Sequence, residues 1–62
     1  MAKVERAEDA VMLRLSEEEL VTLLSCINET LEALDPEELS IRVGRSRAEV
    51  KALQADLREG TT

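Results

Sequence analysis

One stretch, Ser16 to Leu34, restricts the folds open to this chain more than any other. Ser16 is followed three residues later by Glu19, the spacing of a capping box in which each side chain binds the other residue's backbone N–H. Leucine and isoleucine then recur at intervals of three and four residues, at positions 20, 23, 24, 27, 31 and 34. This spacing places them on one stripe and predicts a helix over residues 17–34.

Two further start signals of the same kind follow along the chain. Their members are Asp35 with Glu38 and Ser46 with Glu49. Pro36 occupies a first helical position, where its missing N–H costs nothing, and Gly44 is a natural stop. We therefore expect helices near residues 36–43 and 47–59. The apolar stripe expected for the last helix consists of Val50, Leu53 and Leu57.

The first fifteen residues divide into two parts. Residues 1–9 are charged and show no period, so we expect a disordered N-terminal segment. Residues 10–15 alternate in the period of a strand, although six residues also fit an extra turn of helix. Because no second strand pattern is visible, we expect any such strand to pair with its copy in a homodimer. The expected dimer seam is Val11, Leu13 and Leu15.

Together these signals predict a mainly α fold. It is a single helical domain over residues 10–59, with three helices, a helix-turn-helix-like second half, a short N-terminal strand and a tail at residues 60–62. A core built without Phe, Tyr or Trp is small in a chain of 62 residues, and a second copy is a natural way to enlarge it.

Composition argues against catalysis. The chain has no His, which removes the usual metal ligand and general base, and its single cysteine, Cys26, cannot form an internal disulfide. The carboxylate clusters at residues 17–19 and 37–38 lie in first helical turns, where the helix dipole favours negative charge. We therefore expect no enzymatic activity, no cofactor and no metal. No apolar run approaches the length of a membrane span, so we expect no membrane contact and a cytoplasmic location.

The charge distribution suggests the kind of partner. The net charge is −6, and residues 1–35 carry three basic and nine acidic side chains, whereas residues 36–62 carry five of each. We expect a small acidic module that acts by binding a partner protein, as yet unidentified. The residues expected to contact a basic partner lie on the outer face of the first helix and are Glu18, Glu29 and Glu32.

Residues 38–50 resemble the helix-turn-helix family of DNA-binding units. The matching positions are Leu39, Val43, Gly44, Ser46 and Val50, whereas Arg45 stands where the family usually has a buried apolar residue. The resemblance implies that Ser46, Arg47, Lys51 and Gln54 face the major groove. The alternative function is therefore a DNA-binding regulator that uses residues 38–58. Its DNA-binding residues would be Arg42, Arg45, Arg47 and Lys51, although the acidic balance disfavours nucleic acid as a partner.

Two other resemblances bear on the fold. Residues 11–18 and 44–49 resemble the strand and the second-helix start of ribbon-helix-helix repressors, which implies a strand-paired dimer. Residues 35–43 form an added helix that this family lacks. The chain also resembles a group of small uncharacterised bacterial helical proteins through Asn28-Glu29 and Arg42-Val43-Gly44. That resemblance implies a helical fold and no particular activity.

Overall fold

The computed structural model describes residues 2–60 and has five secondary-structure elements. They are the strands β1 (Lys3–Arg6) and β2 (Val11–Arg14) and the helices α1 (Glu17–Ala33), α2 (Pro36–Val43) and α3 (Arg47–Glu59). The predicted mainly α fold is confirmed, with its three helices, its helix-turn-helix-like second half and its short N-terminal strand.

Each helix begins where its capping signal predicts. The Ser16 hydroxyl accepts the Glu19 N–H at 3.1 Å, and the Glu19 carboxylate accepts the Ser16 N–H at 2.8 Å. Ser46 and Glu49 form the same box, and Asp35 accepts the Glu38 N–H at 2.8 Å. These bonds satisfy backbone donors that have no partner inside the helix.

The breaks between helices also follow from single residues. α1 ends at Ala33, one residue before the predicted end, and Leu34 is already extended. Asp35 is extended too, because Pro36 disfavours helical geometry at the residue before it. α2 ends at Gly44, whose φ of 79° is a left-handed conformation that favours glycine. Two tight connections therefore join the three helices.

The expectation that β2 has no internal partner is wrong. β1 and β2 form an antiparallel hairpin in which Lys3 pairs with Arg14 and Val4 with Leu13. The Ala7 N–H donates to the Ala10 carbonyl at 2.8 Å and closes the turn. Since β1 has the sequence KVER, with one aliphatic residue, its alternation was too weak to be recognised.

The hairpin includes part of the N-terminal segment that we expected to be disordered. Lys3–Arg6 lies within residues 1–9, which we expected to be disordered, and the structure places it in a strand. Met1 of that segment and Thr61 and Thr62 of the predicted tail lie outside the described residues.

The core is aliphatic and small. α3 packs against α1 and α2, and Leu31 and Leu39 are the buried hydrophobic residues of the described chain, at 4% and 0% exposure. All six residues of the predicted α1 stripe are buried or half-buried. The core therefore lies on the side of α1 that its leucine spacing predicts.

The predicted stripe of α3 is wrong at one position. Leu53 is 53% exposed, and the neighbouring Gln54 is buried at 8% exposure. Arg47, Val50, Gln54 and Leu57 follow one another at intervals of three, four and three residues, so they form the stripe that faces the other helices. Leu53 lies about 100° from Gln54 around the helix and therefore falls at the edge of this stripe.

We expect the buried and exposed positions of α2 to differ sharply in their contribution to stability. Leu39→Ala leaves a cavity and should cost about 2–5 kcal/mol of unfolding free energy. Ile41, which is 73% exposed, is the matched control, and Ile41→Ala should cost at most about 0.5 kcal/mol. Urea unfolding followed by circular dichroism measures both changes. Equal losses would contradict the assignment of the core.

A second stability prediction concerns Gln54. Its side-chain nitrogen, Nε2, is buried and has no hydrogen-bond partner among the described protein groups. An unsatisfied buried donor costs about 1–3 kcal/mol, so Gln54→Leu should raise the unfolding free energy by roughly 1 kcal/mol. Gln54→Ala, which removes the amide and also leaves a cavity, should not. A leucine variant less stable than the parent would show that the amide has a partner.

Candidate functional site

An apolar groove opens between α1 and α3 at the end where α2 joins them. Its volume is about 460 Å³. The residues that line it are Cys26, Ile27 and Thr30 on α1, Val43 on α2, Val50 and Leu53 on α3, and the charged pair Arg45 and Glu49. Val43 and Leu53 are 45% and 53% exposed, so two large aliphatic side chains of the groove are half in water.

The side chains that α1 contributes to the groove do not require a polar ligand. Thr30 could offer a hydroxyl, but its Oγ1 donates to the carbonyl of Cys26 at 2.9 Å within the same helix. Cys26 has an exposed thiol, which behaves as a small hydrophobe with a weak donor. A ligand that suits this wall is therefore apolar.

One ion pair stands at the rim. Arg45 Nη1 lies 3.3 Å from a Glu49 carboxylate oxygen, and both side chains are more than half exposed, so the pair contributes little to stability. The other Glu49 oxygen accepts the Ser46 N–H at 3.0 Å. The backbone N–H of Ser46, with smaller contributions from the Ser46 hydroxyl and the Arg45 guanidinium, holds the pKa of Glu49 below its usual value. The lowered pKa favours the charged form of Glu49, which keeps the rim polar.

The acidic residues predicted for partner binding lie away from the groove. Glu18, Glu29 and Glu32 are exposed on α1, on the side that faces away from the buried Leu31. Glu32 accepts a hydrogen bond from the Asn28 amide at 3.0 Å, one turn earlier. The structure brings these residues to one outer surface but not to the groove.

The basic residues predicted for DNA binding are largely engaged with the protein's own groups. Arg42 Nε lies 2.6 Å from a Glu38 carboxylate oxygen, and Arg45 is paired with Glu49. Arg47 is half-buried and donates to the carbonyl of Leu31 at 2.7 Å. Each of these three cations therefore already has an acceptor within the protein, and together they do not form a free basic surface.

The helix-turn-helix resemblance also implies that Ser46, Lys51 and Gln54 contact bases. Two of these residues have structural roles, and the third is an isolated cation within the described part of the chain. Ser46 caps α3, and Gln54 is buried. Lys51 is exposed, and within residues 2–60 no salt bridge is found for it. The α2–turn–α3 unit thus has a helix-turn-helix outline, but Gln54 is buried and Arg47 is bound to the Leu31 carbonyl.

The hairpin presents a second apolar surface, away from the groove. Val4, Val11 and Leu13 are 59%, 56% and 49% exposed, whereas Leu15 is half-buried. Val4 pairs with Leu13 and Arg6 with Val11, so the three aliphatic side chains share one face of the hairpin. Two of the predicted seam residues, Val11 and Leu13, are therefore accessible.

Clusters of ligating side chains and the length of the helices bear on metal binding and membrane insertion. Between residues 2 and 60, His, Cys, Asp and Glu form no group of three or more that could hold a metal ion. Among the helices of this part, none is long and apolar enough to cross a membrane. Comparison of the chain with protein-family models, with curated proteins and with solved structures gave no match.

The groove was missed by reasoning from the sequence. The spacing of Val50, Leu53 and Leu57 assigns Leu53 to the apolar stripe of α3, whereas the structure places Leu53 at the groove. The available signal was an α3 stripe with a competing set, Arg47, Val50, Gln54 and Leu57, of equal spacing. Choosing between the two sets requires the position of α1, which spacing alone does not give.

The arrangement of basic residues predicts weak interaction with nucleic acid. In gel-shift experiments with random duplex DNA at low salt, micromolar protein should give no retardation, because paired cations and a net charge of −6 provide little attraction. Retardation that is lost in Arg42→Ala and Lys51→Ala variants, neither of which removes the Arg47–Leu31 contact, would support the DNA-binding alternative instead.

Proposed function

We propose that this protein is a small non-enzymatic interaction module that binds an amphipathic helix of a partner protein in the groove between α1 and α3. The observation that carries the proposal is the groove itself, an apolar channel between two helices with Val43 and Leu53 left half exposed. A channel of this kind accepts a third helix that places its apolar residues at intervals of three and four.

Charge supports a basic helix as the occupant. The chain carries a net charge of −6, and the acidic residue that lines the groove is Glu49, which is paired with Arg45. Lys or Arg residues that flank the apolar stripe of a partner helix would be attracted by the negative net charge of the chain, which also steers diffusional encounter. The outer-face residues Glu18, Glu29 and Glu32 would then act mainly at long range.

The groove suggests a modest affinity. Covering the exposed half of an aliphatic side chain such as Val43 or Leu53 contributes about 1 kcal/mol. Association costs at least about 4 kcal/mol, so the two residues alone are insufficient and the partner must also cover Ile27 and Val50. Reversible binding by a single short helix is the mode that such a surface supports.

The exposed Cys26 thiol suits a reducing compartment, and we place the protein in the cytoplasm on that basis. A DNA-binding regulator that uses residues 38–58 is the alternative, and the gel-shift experiment described above distinguishes it from a protein-binding module.

Cys26 also provides the test, because it is the chain's single cysteine and lines the groove. We expect a synthetic peptide of Leu, Ala and Lys, helical with all Leu on one face, to slow the modification of Cys26 by a maleimide. The same peptide with Glu in place of Lys should protect far less, because it would face an acidic surface.

Two variants that each add one negative charge show where the peptide binds. Leu53→Glu places a carboxylate in the groove and should reduce peptide binding roughly tenfold or more. Val21→Glu is the control, because Val21 is 62% exposed and lies on α1 outside the groove. Its peptide binding should change by no more than about twofold. Equal losses in both variants, or no protection of Cys26 in the parent protein, would contradict the proposal.

A further inference from the structure

On the charged face of the hairpin, two positively charged side chains lie directly opposite each other. Lys3 stands directly opposite Arg14, and Glu5 stands opposite Met12, so these four side chains share one face. Like charges that are directly opposite destabilise an antiparallel pair. The hairpin therefore places no opposite charge directly across from either Lys3 or Glu5.

The other face and the edges of the hairpin are also incomplete. Val4, Val11 and Leu13 are about half exposed on one face, and the helices pack mainly on one another. A two-stranded hairpin is marginally stable by itself, whereas three or more strands with an apolar face are stable. The outer edge of β1 carries backbone groups that no strand of the described chain pairs.

We propose that β1 pairs antiparallel with β1 of a second copy of this chain, about a two-fold axis that passes through Val4. The result is a four-stranded sheet in the order β2–β1–β1–β2. In this register Val4 lies opposite Val4 of the second copy, and Lys3 lies opposite Glu5 of the second copy. By symmetry Glu5 lies opposite the second Lys3, so both charges that the hairpin leaves unmatched acquire opposite partners.

The charges of β1 select this register over its neighbours. A shift of two residues in one direction places Lys3 opposite Lys3, and in the other direction it places Glu5 opposite Glu5. With a shift of one residue, the apolar face of one copy and the charged face of the other would lie on the same side of the sheet. β2 carries one charged residue, Arg14, and no carboxylate, so no register of a β2–β2 seam would place opposite charges across from each other. The seam therefore falls on β1 rather than on the β2 seam that the sequence predicted.

This dimer is independent of the groove, because none of the residues Lys3–Arg6 lines it. Failure of the dimer would therefore leave the peptide-binding proposal untouched, and the reverse also holds.

The test is a charge swap measured by light scattering over a range of protein concentrations, with refractive-index detection because the chain has no Trp or Tyr. The parent protein should reach twice the chain mass of 6.9 kDa at high concentration. Lys3→Glu replaces two attractions with two repulsions and should weaken the dimer by roughly tenfold or more. Lys3→Glu with Glu5→Lys exchanges the charges of both Lys3–Glu5 pairs and should restore the dimer.

Two controls separate the seam from general effects. Lys3→Glu sets Glu opposite Arg14, which favours the hairpin, so circular dichroism should show a folded variant. Arg14→Glu changes the net charge equally on the same face but away from the seam, and it should leave the dimer intact. A monomer at every concentration, equal weakening by Arg14→Glu, failure of the double swap to restore the dimer, or loss of the dimer only with Leu13→Glu would each overturn the proposal.

Discussion

The position of α3 depends on a hydrogen bond from Arg47 to the last turn of α1. Arg47 Nη1 donates to the Leu31 carbonyl at 2.7 Å, and Leu31 is itself buried. Carbonyls in the last turn of a helix lack partners within that helix, and they favour positive charge because of the helix dipole. α1 has no basic residue in its own last turn, so the guanidinium of α3 supplies this charge. The contact holds the start of α3 against the end of α1, and α2 connects these two helices along the chain.

The position of the groove follows from this arrangement. With Arg47 turned towards α1, the residues that lie below it on the same stripe are Val50, Gln54 and Leu57. Leu53 is displaced to the side and leaves an apolar edge facing Ile27 across the groove. A core without aromatic residues has too little volume to cover that edge, which explains why a fold of this size retains an exposed apolar channel.

The sequence predicted those features that local interactions determine. Each helix start depends on a cap and a glutamate three residues later, so Ser16, Asp35 and Ser46 were sufficient to place the helices almost to the residue. β1 was missed because strand pairing joins distant residues, and Val4 alone gave no alternation. The position of Gln54 rather than Leu53 in the core was missed because it depends on how α1 and α3 pack against each other. The candidate site could not be predicted for the same reason.

The most direct test of this account is paramagnetic relaxation from a spin label on Cys26, the chain's single cysteine. If α3 lies against α1 as described, the label should broaden the NMR amide signals of Glu49–Leu53 and Val43 most strongly among residues outside α1. The signals of the hairpin residues Lys3–Arg6, which line no part of the groove, should be much less affected. Unbroadened signals in Glu49–Leu53 would show that α3 does not form the second wall of the groove, and would contradict the account.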